Sequence, residues 1–234
     1  MSTPTSLTSP TGYAGGLEIP GWELFYKGKV RDLYRFPGDD QHMLMVATDR
    51  LSAFDVVMNE CIPDRGKVLT HITEYWCAKV EDRVKSARVT CTPEEVPHLP
   101  AEVHDAIRGR MTWTLNAKRV NVEIVLRAYL AGSGWREYQA TGALWEYSLP
   151  SDLKNSSELP EVLLTPTTKA EKDEPITWAQ ATEIIGDTQH AETIRTLSHD
   201  IFNMAQERAA EKGVILADTK FEFGLMDGEM VLID

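Results

Sequence analysis

Several signatures of common protein classes are missing from this chain of 234 residues. No apolar run approaches the roughly 20 residues that a membrane-spanning helix needs. There is no GxxxxGK[ST] phosphate loop, and the turn at 132–134 does not extend to GxGxxG because residue 137 is Glu. Neither an HExxH zinc motif nor a GxSxG nucleophile motif occurs. These absences argue against P-loop, dinucleotide-binding, zinc-dependent and serine-hydrolase functions.

Cysteine and positive charge are also scarce. The three cysteines, Cys61, Cys77 and Cys91, form no CxxC pair and cannot all pair with one another. A reducing compartment therefore fits best, and we expect a cytoplasmic protein with buried thiols. The net charge of -12 argues against nucleic acid or an anionic membrane as a partner. Small anionic ligands need only a local basic patch. The sequence leaves a monomer and a small homo-oligomer equally open.

The order of predicted elements indicates an α+β protein with two lobes. Residues 1–17 are rich in Ser, Thr, Pro and Gly without the pattern of a signal peptide, so we expect a disordered tail. We predict an antiparallel-sheet lobe over 18–118 and an α/β lobe over 119–234, with a ligand cleft between them.

Periodicity places individual elements along the chain. Alternation over 26–36 and 43–48 predicts a hairpin broken at Pro37-Gly38, and a helix is predicted after Gly66. The apolar run 121–129 predicts a strand, whereas 150–175 is predicted to be mostly loop. Thr177 and Gln180 form a capping-box pattern for a helix that ends near Gly186. A longer helix is predicted before Gly213.

A charged strand near the end of the chain is the most informative feature. Strand periodicity places Asp218, Lys220 and Glu222 on one face and the aromatic residues on the other. Two carboxylates beside an ammonium group could hold Mg²⁺ with bound phosphate. A solvated face of an edge strand is the alternative.

The turn that follows decides whether Asp234 joins these residues. A two-residue loop at Asp227-Gly228 would pair Asp234 with Phe221, on the opposite face. A three-residue loop over 226–228 would pair Asp234 with Lys220. We predict the three-residue loop, and with it a metal site of Asp218, Glu222 and Asp234.

A second candidate site is the basic segment around Gly28. Gly28 would permit close approach of the backbone to a ligand, and Lys29 and Arg31 are predicted to share one face of a strand. Both cations could then contact one phosphate. A basic edge strand that resists aggregation is the alternative.

A third candidate site follows the apolar strand. Arg127 interrupts that strand, and a buried guanidinium requires an anionic partner. Ser133 lies between two glycines, where its hydroxyl and nearby amides could bind phosphate. A structural salt bridge next to a tight turn remains the alternative.

Together these segments resemble the SAICAR synthetase family. The matching stretches stand in the family's order: YKGKVRDLY (26–34), TDRLSAFDVVM (48–58), IPDRGKVLT (62–70), EIVLRAYLAGSGWREY (123–138) and ILADTKFEFG (215–224). The resemblance implies a two-lobed fold related to the nucleotide-binding architecture of protein kinases. It also implies an ATP- and Mg²⁺-dependent ligase that joins L-aspartate to carboxyaminoimidazole ribonucleotide (CAIR) and forms SAICAR, ADP and phosphate.

The resemblance further assigns roles to residues of this sequence. It implies that ATP is bound by Gly28, Lys29, Arg31 and Glu123, and that substrate is contacted by Arg127, Ser133, Lys220 and Asp55. Catalytic roles are implied for Lys220 and Asp218. The implied magnesium ligands are Asp218, Glu222 and Asp234.

Two alternatives to a complete ligase remain from the sequence. Family members continue past the point that corresponds to Asp234, so we expect a C-terminal region to be missing here. A nucleotide-binding module without ligase activity is then conceivable. A kinase-like phosphotransferase is disfavoured because the chain has neither an HRD-type loop nor a DFG triad.

Overall fold

Contacts divide the chain into two compact units. The computed structural model describes residues 12–53, 56–169 and 174–234. The first unit comprises the described residues up to Glu81 together with Ser86–Asn116. The second unit comprises Asp82–Lys85 and Ala117–Asp234. No helix among the described residues is long and apolar enough to cross a membrane.

The first unit is built on an antiparallel sheet of five strands. Its elements are β1 (Glu23–Lys27), β2 (Arg31–Arg35), β3 (His42–Ala47), β4 (Arg50–Ala53), β5 (Val56–Cys61), α1 (Arg65–Val80), β6 (Arg88–Thr90), α2 (His104–Ile107) and β7 (Met111–Leu115). The order in the sheet is β1-β2-β3-β7-β6, and β4 and β5 form a separate ribbon. Its apolar cluster includes Tyr34, Leu44, Val46, Ile107 and Met111.

The structure corrects the prediction for the basic segment. Residues 26–36 do not form one strand, because a turn after Lys27 separates β1 from β2. The Gly28 N–H donates to Arg31 O at 2.8 Å, and a Cβ atom at Gly28 would lie 2.9 Å from that same oxygen. Gly28 is therefore required by the turn itself. Lys29 lies in the turn and Arg31 begins β2, so the two do not share one face of a strand.

The second unit contains a second antiparallel sheet. Its elements are β8 (Lys118–Tyr129), α3 (Gly132–Thr141), β9 (Ala143–Leu144), β10 (Tyr147–Ser148), β11 (Glu158–Leu164), β12 (Thr167–Thr168), α4 (Trp178–Ile185), α5 (Thr188–Ala210), β13 (Asp218–Met226) and β14 (Glu229–Leu232). The long strand β8 pairs with β11, β12 and β13, and β13 pairs with β14. Strand β8 thereby occupies the centre of the sheet.

Helices α4 and α5 lie where the sequence predicts helices, and the described part of 150–175 is mostly loop as predicted but also contains two strands. The capping box of Thr177 and Gln180 begins α4, and left-handed Gly186 follows its last residue. In the predicted loop over 150–175, however, β11 and β12 both pair with β8. Because the pairing partner is distant in sequence, local composition did not reveal these strands.

The predicted three-residue loop between β13 and β14 is wrong. Met226 pairs directly with Glu229, which leaves only Asp227 and Gly228 in the loop. Both loop residues have left-handed backbone angles, with φ of 51° at Asp227 and 82° at Gly228. A two-residue loop with two such angles is the turn that best matches the twist of paired strands.

A bulge after the hairpin places Asp234 opposite Glu222. The Glu222 N–H donates to Asp234 O at 2.8 Å, and the Asp234 N–H donates to Glu222 O at 3.3 Å. Ile233 N–H also donates to Glu222 O, at 2.9 Å, so two residues of the return strand share one partner. The structure thus pairs Asp234 with neither Lys220 nor Phe221.

Candidate functional site

The register between β8 and β13 gathers charged residues on one face of the second sheet. Asp218 lies opposite Arg127, and Glu222 lies opposite Glu123. Lys220 lies between Asp218 and Glu222 on the same strand face, as the sequence predicts. On the other face Phe223 is fully buried. The candidate site is this charged face of β8 and β13.

Glu123 is the centre of a four-residue ion-pair network. Its Oε1 accepts from Lys169 Nζ at 2.5 Å and from Lys220 Nζ at 2.7 Å. Lys169 Nζ also donates to Glu222 Oε1 at 2.5 Å. Like charges directly opposite on paired strands repel each other. The Lys169 ammonium, placed between Glu123 and Glu222, cancels that repulsion.

Exposure within this network is uneven. The Glu123 side chain is 3% exposed, whereas that of Lys220 is 46% exposed. Burial would raise the pKa of Glu123, but the hydrogen bonds from Lys169 and Lys220 outweigh it and lower that pKa. Burial would likewise lower the pKa of Lys169, but its bonds to the two carboxylates raise it. Glu123 is therefore ionised, and the Lys220 side chain that bonds to it is half exposed.

Lys169 is not among the site residues predicted from the sequence. It follows β12, in which Thr167 pairs with Glu123, so the strand directs Lys169 towards the network. A threonine pair within a segment rich in Pro and Ser gave no periodic signal. A signal was nevertheless available, because a buried glutamate in β8 requires a cation and Arg127, the cation of the predicted strand, was already assigned to a phosphate.

Arg127 is held by a second set of partners on the same face. Its Nε donates to Thr165 Oγ1 at 3.0 Å, and Nη2 donates to Ser133 Oγ at 3.3 Å. Nη1 lies 3.5 Å from Asp218 Oδ2, and the guanidinium lies over the Trp145 ring. Burial lowers the pKa of Arg127, and the Asp218 carboxylate partly offsets this.

Ser133 and Arg127 are therefore in contact, as two parts of one predicted phosphate site should be. Ser133 is the second residue of α3, and the first turn of a helix presents backbone N–H groups that favour an anion. Among the described residues, the buried guanidinium has one carboxylate near it, that of Asp218 at 3.5 Å. This arrangement is suited to a doubly charged oxyanion.

The predicted group of three carboxylate ligands is not assembled. Glu222 lies four steps along the strand from Asp218, which corresponds to about 13 Å at 3.3 Å per residue. Asp218 instead faces Arg127. No group of three or more His, Cys, Asp or Glu side chains that could hold a metal ion occurs in the described part of the chain. Glu222 and Asp234, which lie opposite each other, are the two predicted ligands that the backbone brings together.

In the first unit, Arg50 fixes the turn that carries Lys29. Its guanidinium donates to the carbonyl oxygens of Ala14 at 2.5 Å, Gly28 at 2.8 Å and Lys29 at 3.1 Å. It also donates to Asp32 Oδ1 at 2.7 Å. Arg50 is 8% exposed and Asp32 is fully buried. The turn carbonyls consequently point inwards towards Arg50.

Asp49 forms a similar buried centre next to Arg50. It accepts hydrogen bonds from Arg110 and from the backbone N–H groups of Tyr13 and Gly66, each at 2.8 Å. Burial would raise the pKa of Asp49, but these hydrogen bonds lower it. Asp49 and Arg50, which belong to the stretch 48–58 that resembles the family, thus bond to the protein itself. Asp55, predicted to contact substrate, lies outside the described residues.

Comparison with known proteins identifies the family. The SAICAR synthetase family profile matches residues 24–234. The chain belongs to the SAICAR synthetase family. The prediction from the sequence motifs is confirmed.

Individual relatives agree with this assignment. The phosphoribosylaminoimidazole-succinocarboxamide synthase of Pelobacter propionicus is 43% identical over 93% of this chain and 73% of its own length. The enzyme of the same name from Halorhodospira halophila is 44% identical over 92% of this chain and 73% of its own length. A solved structure of SAICAR synthase from Saccharomyces cerevisiae, complexed with SAICAR, superposes with a TM-score of 0.82 at 36% identity, over 92% of this chain and 73% of that one. The predicted α+β fold of this family is therefore confirmed.

Proposed function

We propose that this chain catalyses the ATP-dependent ligation of L-aspartate to the carboxylate of CAIR, with formation of SAICAR, ADP and phosphate. The reaction belongs to de novo purine biosynthesis, and we propose that it takes place in the cytoplasm. The proposal rests on membership of the family and on relatives that bear this activity in their names.

One structural observation supports the proposal most directly. The charged face of β8 and β13 presents two cations, the buried Arg127 and the half-exposed Lys220, on one sheet. The nucleotide substrate carries a phosphate and a carboxylate. A buried guanidinium next to Ser133 is suited to the phosphate, and Lys220 is suited to a carboxylate.

The chemistry requires charge neutralisation more than proton transfer. A carboxylate is a poor acyl donor, so transfer of the γ-phosphoryl group of ATP to the CAIR carboxylate first forms an acyl phosphate. The aspartate amine then attacks that carbonyl carbon, and phosphate leaves. Lys220 stabilises charge on the reacting carboxylate, Arg127 and Ser133 hold the substrate phosphate, and Asp218 orients Arg127.

Residues of the first unit are assigned to ATP. The turn at Gly28 presents Lys29 and Arg31, and these two cations contact the ATP phosphates in our proposal. Arg50 fixes the three carbonyl groups of Ala14, Gly28 and Lys29. A fixed turn loses little conformational entropy when ATP binds. Glu123, initially assigned to ATP, is bonded to Lys169 and Lys220 and is assigned instead to the orientation of Lys220.

Glu222 and Asp234 are the residues that would hold Mg²⁺. Opposite residues of an antiparallel pair project to the same face, and one or two carboxylates with phosphate oxygens satisfy this ion. When bound, Mg²⁺ neutralises charge on the transferred phosphoryl group. Among solved structures with this fold, a SAICAR synthetase is in complex with ADP, at 21% identity and a TM-score of 0.69 over 89% of this chain and 78% of that one.

A substrate-omission experiment tests the proposed function. The chain is incubated with ATP, Mg²⁺, CAIR and L-aspartate, and ADP and SAICAR are quantified with each substrate omitted in turn. Equal amounts of ADP and SAICAR, formed only in the complete mixture, are expected. ADP release that is independent of CAIR and aspartate would contradict the proposal, and so would ATP binding without any SAICAR.

A further inference from the structure

Lys169 is the one member of the Glu123 network to which the proposed chemistry gives no role. Its side chain is 24% exposed, and its ammonium contacts Glu123 and Glu222 at 2.5 Å each. Lys220 reaches the same Glu123 oxygen at 2.7 Å and lies 3.9 Å from Glu222. Two ammonium groups and two carboxylates thus balance each other.

We propose that Lys169 is a positioning residue that neutralises Glu123 and Glu222 and thereby keeps Lys220 available to an anionic substrate. The inference rests on the proposed function, in which Lys220 contacts the nucleotide substrate. It follows from the geometry, because Lys169 bridges the two carboxylates and Lys220 is bonded mainly to one.

Loss of the Lys169 charge would change the bonding partners of Lys220. In the absence of Mg²⁺, Lys220 would become the one ammonium group among the described residues that contacts these two facing carboxylates. The gap of 3.9 Å between Lys220 and Glu222 would close, and Lys220 would satisfy both carboxylates. An incoming substrate anion would then compete with two carboxylates for a single cation. Its affinity should fall although Lys169 does not touch it.

The test measures binding of SAICAR, a catalytically silent probe, by calorimetry. Lys169→Met should weaken SAICAR binding about tenfold, the scale of one lost charge-assisted contact. Lys169→Arg should retain affinity within about threefold, because the guanidinium can still bridge two carboxylates. Lys154→Met, at an exposed lysine of the same unit, is the matched control and should bind SAICAR like wild type.

A double-mutant cycle separates positioning from direct contact. If Lys169 acts through Lys220, then Lys169→Met should have little further effect on SAICAR binding in a Lys220→Met background. Additive losses would mean that Lys169 contacts the ligand itself and would overturn the inference. Unchanged SAICAR affinity in Lys169→Met, with only a lower melting temperature, would also overturn it.

Measurements on the wild-type chain show whether the proposed ligase function is wrong or only the role of Lys169. Wild type that binds and forms SAICAR, together with an unaffected Lys169→Met, refutes the positioning role alone. Wild type that neither binds nor forms SAICAR refutes the proposed function, and the role of Lys169 fails with it.

Discussion

The two units of the chain use buried ion pairs in different ways. In the first unit, Arg50 and Arg110 are paired with Asp32 and Asp49, and all four residues are at most 8% exposed. Their remaining hydrogen bonds go to backbone groups of the same unit. In the second unit, Glu123 is just as buried, but its partner Lys220 is 46% exposed. The first arrangement fixes backbone, whereas the second keeps a cation accessible to a ligand.

Exposure separates the half-exposed Lys220 from the buried Arg50 and Arg110, although all three bond to carboxylates. Both networks join carboxylates to cations at hydrogen-bond distance. A cation whose donors are all used by buried partners cannot also hold a substrate without losing them. A half-exposed lysine can bond to Glu123 and still offer its other donors. We therefore expect stability to depend mainly on the first network and activity mainly on the second.

The largest effect is expected from the buried arginine of the first unit. Arg50→Met leaves the Asp32 carboxylate and three carbonyl groups without their donor. Removal of one partner of a buried ion pair costs about 3–5 kcal/mol. The free energy of unfolding, measured by urea denaturation, should fall by that amount. Arg35→Met is the control, because the Arg35–Glu23 pair is exposed and its loss should leave unfolding unchanged.

The second prediction concerns activity. Lys220→Met should lower kcat/KM for CAIR about 100-fold, which is the usual scale for loss of one group that stabilises developing charge. The urea midpoint should change little in comparison with Arg50→Met, since the Lys220 side chain is half exposed. Steady-state kinetics and denaturation of the same preparation give both values. If Lys220→Met instead lowered the urea midpoint strongly and kept full activity per folded molecule, Lys220 would serve stability rather than activity.

The third prediction uses pH to separate the two networks. The pKa of Glu123 is lowered in the folded protein from its ordinary value of 4.5, so its contribution to stability is complete above pH 4.5 and is lost as pH falls through the folded pKa. Glu123→Gln should be less stable than wild type at pH 7, because Lys169 and Lys220 lose their shared carboxylate. The difference should shrink as the pH falls below 4.5.

Asp49 provides the internal reference for that experiment. Its pKa is also lowered, from an ordinary value of 3.8, so the stability that it contributes begins to fall only below pH 3.8, whereas that of Glu123 begins to fall below pH 4.5. Both wild type and Glu123→Gln should retain this more acidic loss of stability. The free energy of unfolding of wild type and Glu123→Gln is measured by circular dichroism at each pH down to pH 3. If the two profiles stay parallel, Glu123 does not cause the loss of stability that begins below pH 4.5.

Features that depend on residues close together in sequence were predicted correctly. The shared face of Asp218, Lys220 and Glu222 was predictable because strand periodicity is local. The capping box at Thr177 was predictable for the same reason. Family membership followed from motifs that span nearly the whole chain.

Features that depend on distant partners were missed or wrong. Lys169 joins the site only because β12 pairs with β8, more than 40 positions earlier. The bulge at Glu222 shifts Asp234 by one position, and no local residue pattern encodes it. Helix α1 has an apolar stripe, yet Val68, Leu69 and Ile72 are exposed while Val80 is buried. The stripe indicated a helix and did not indicate how much of it would be covered.

The smallest effect is expected at the turn that sets the register of β13 and β14. Gly228 has a φ of 82°, where a side chain is strained, so Gly228→Ala should cost about 1 kcal/mol of unfolding free energy. Asp227→Asn should be neutral or stabilising by a few tenths of a kcal/mol, because asparagine tolerates the left-handed angle well. If Gly228→Ala also lowers activity, then the turn holds Glu222 and Asp234 opposite each other. Activity that survives while stability falls would mean that the pairing of β13 with β8, rather than the hairpin, positions the second network.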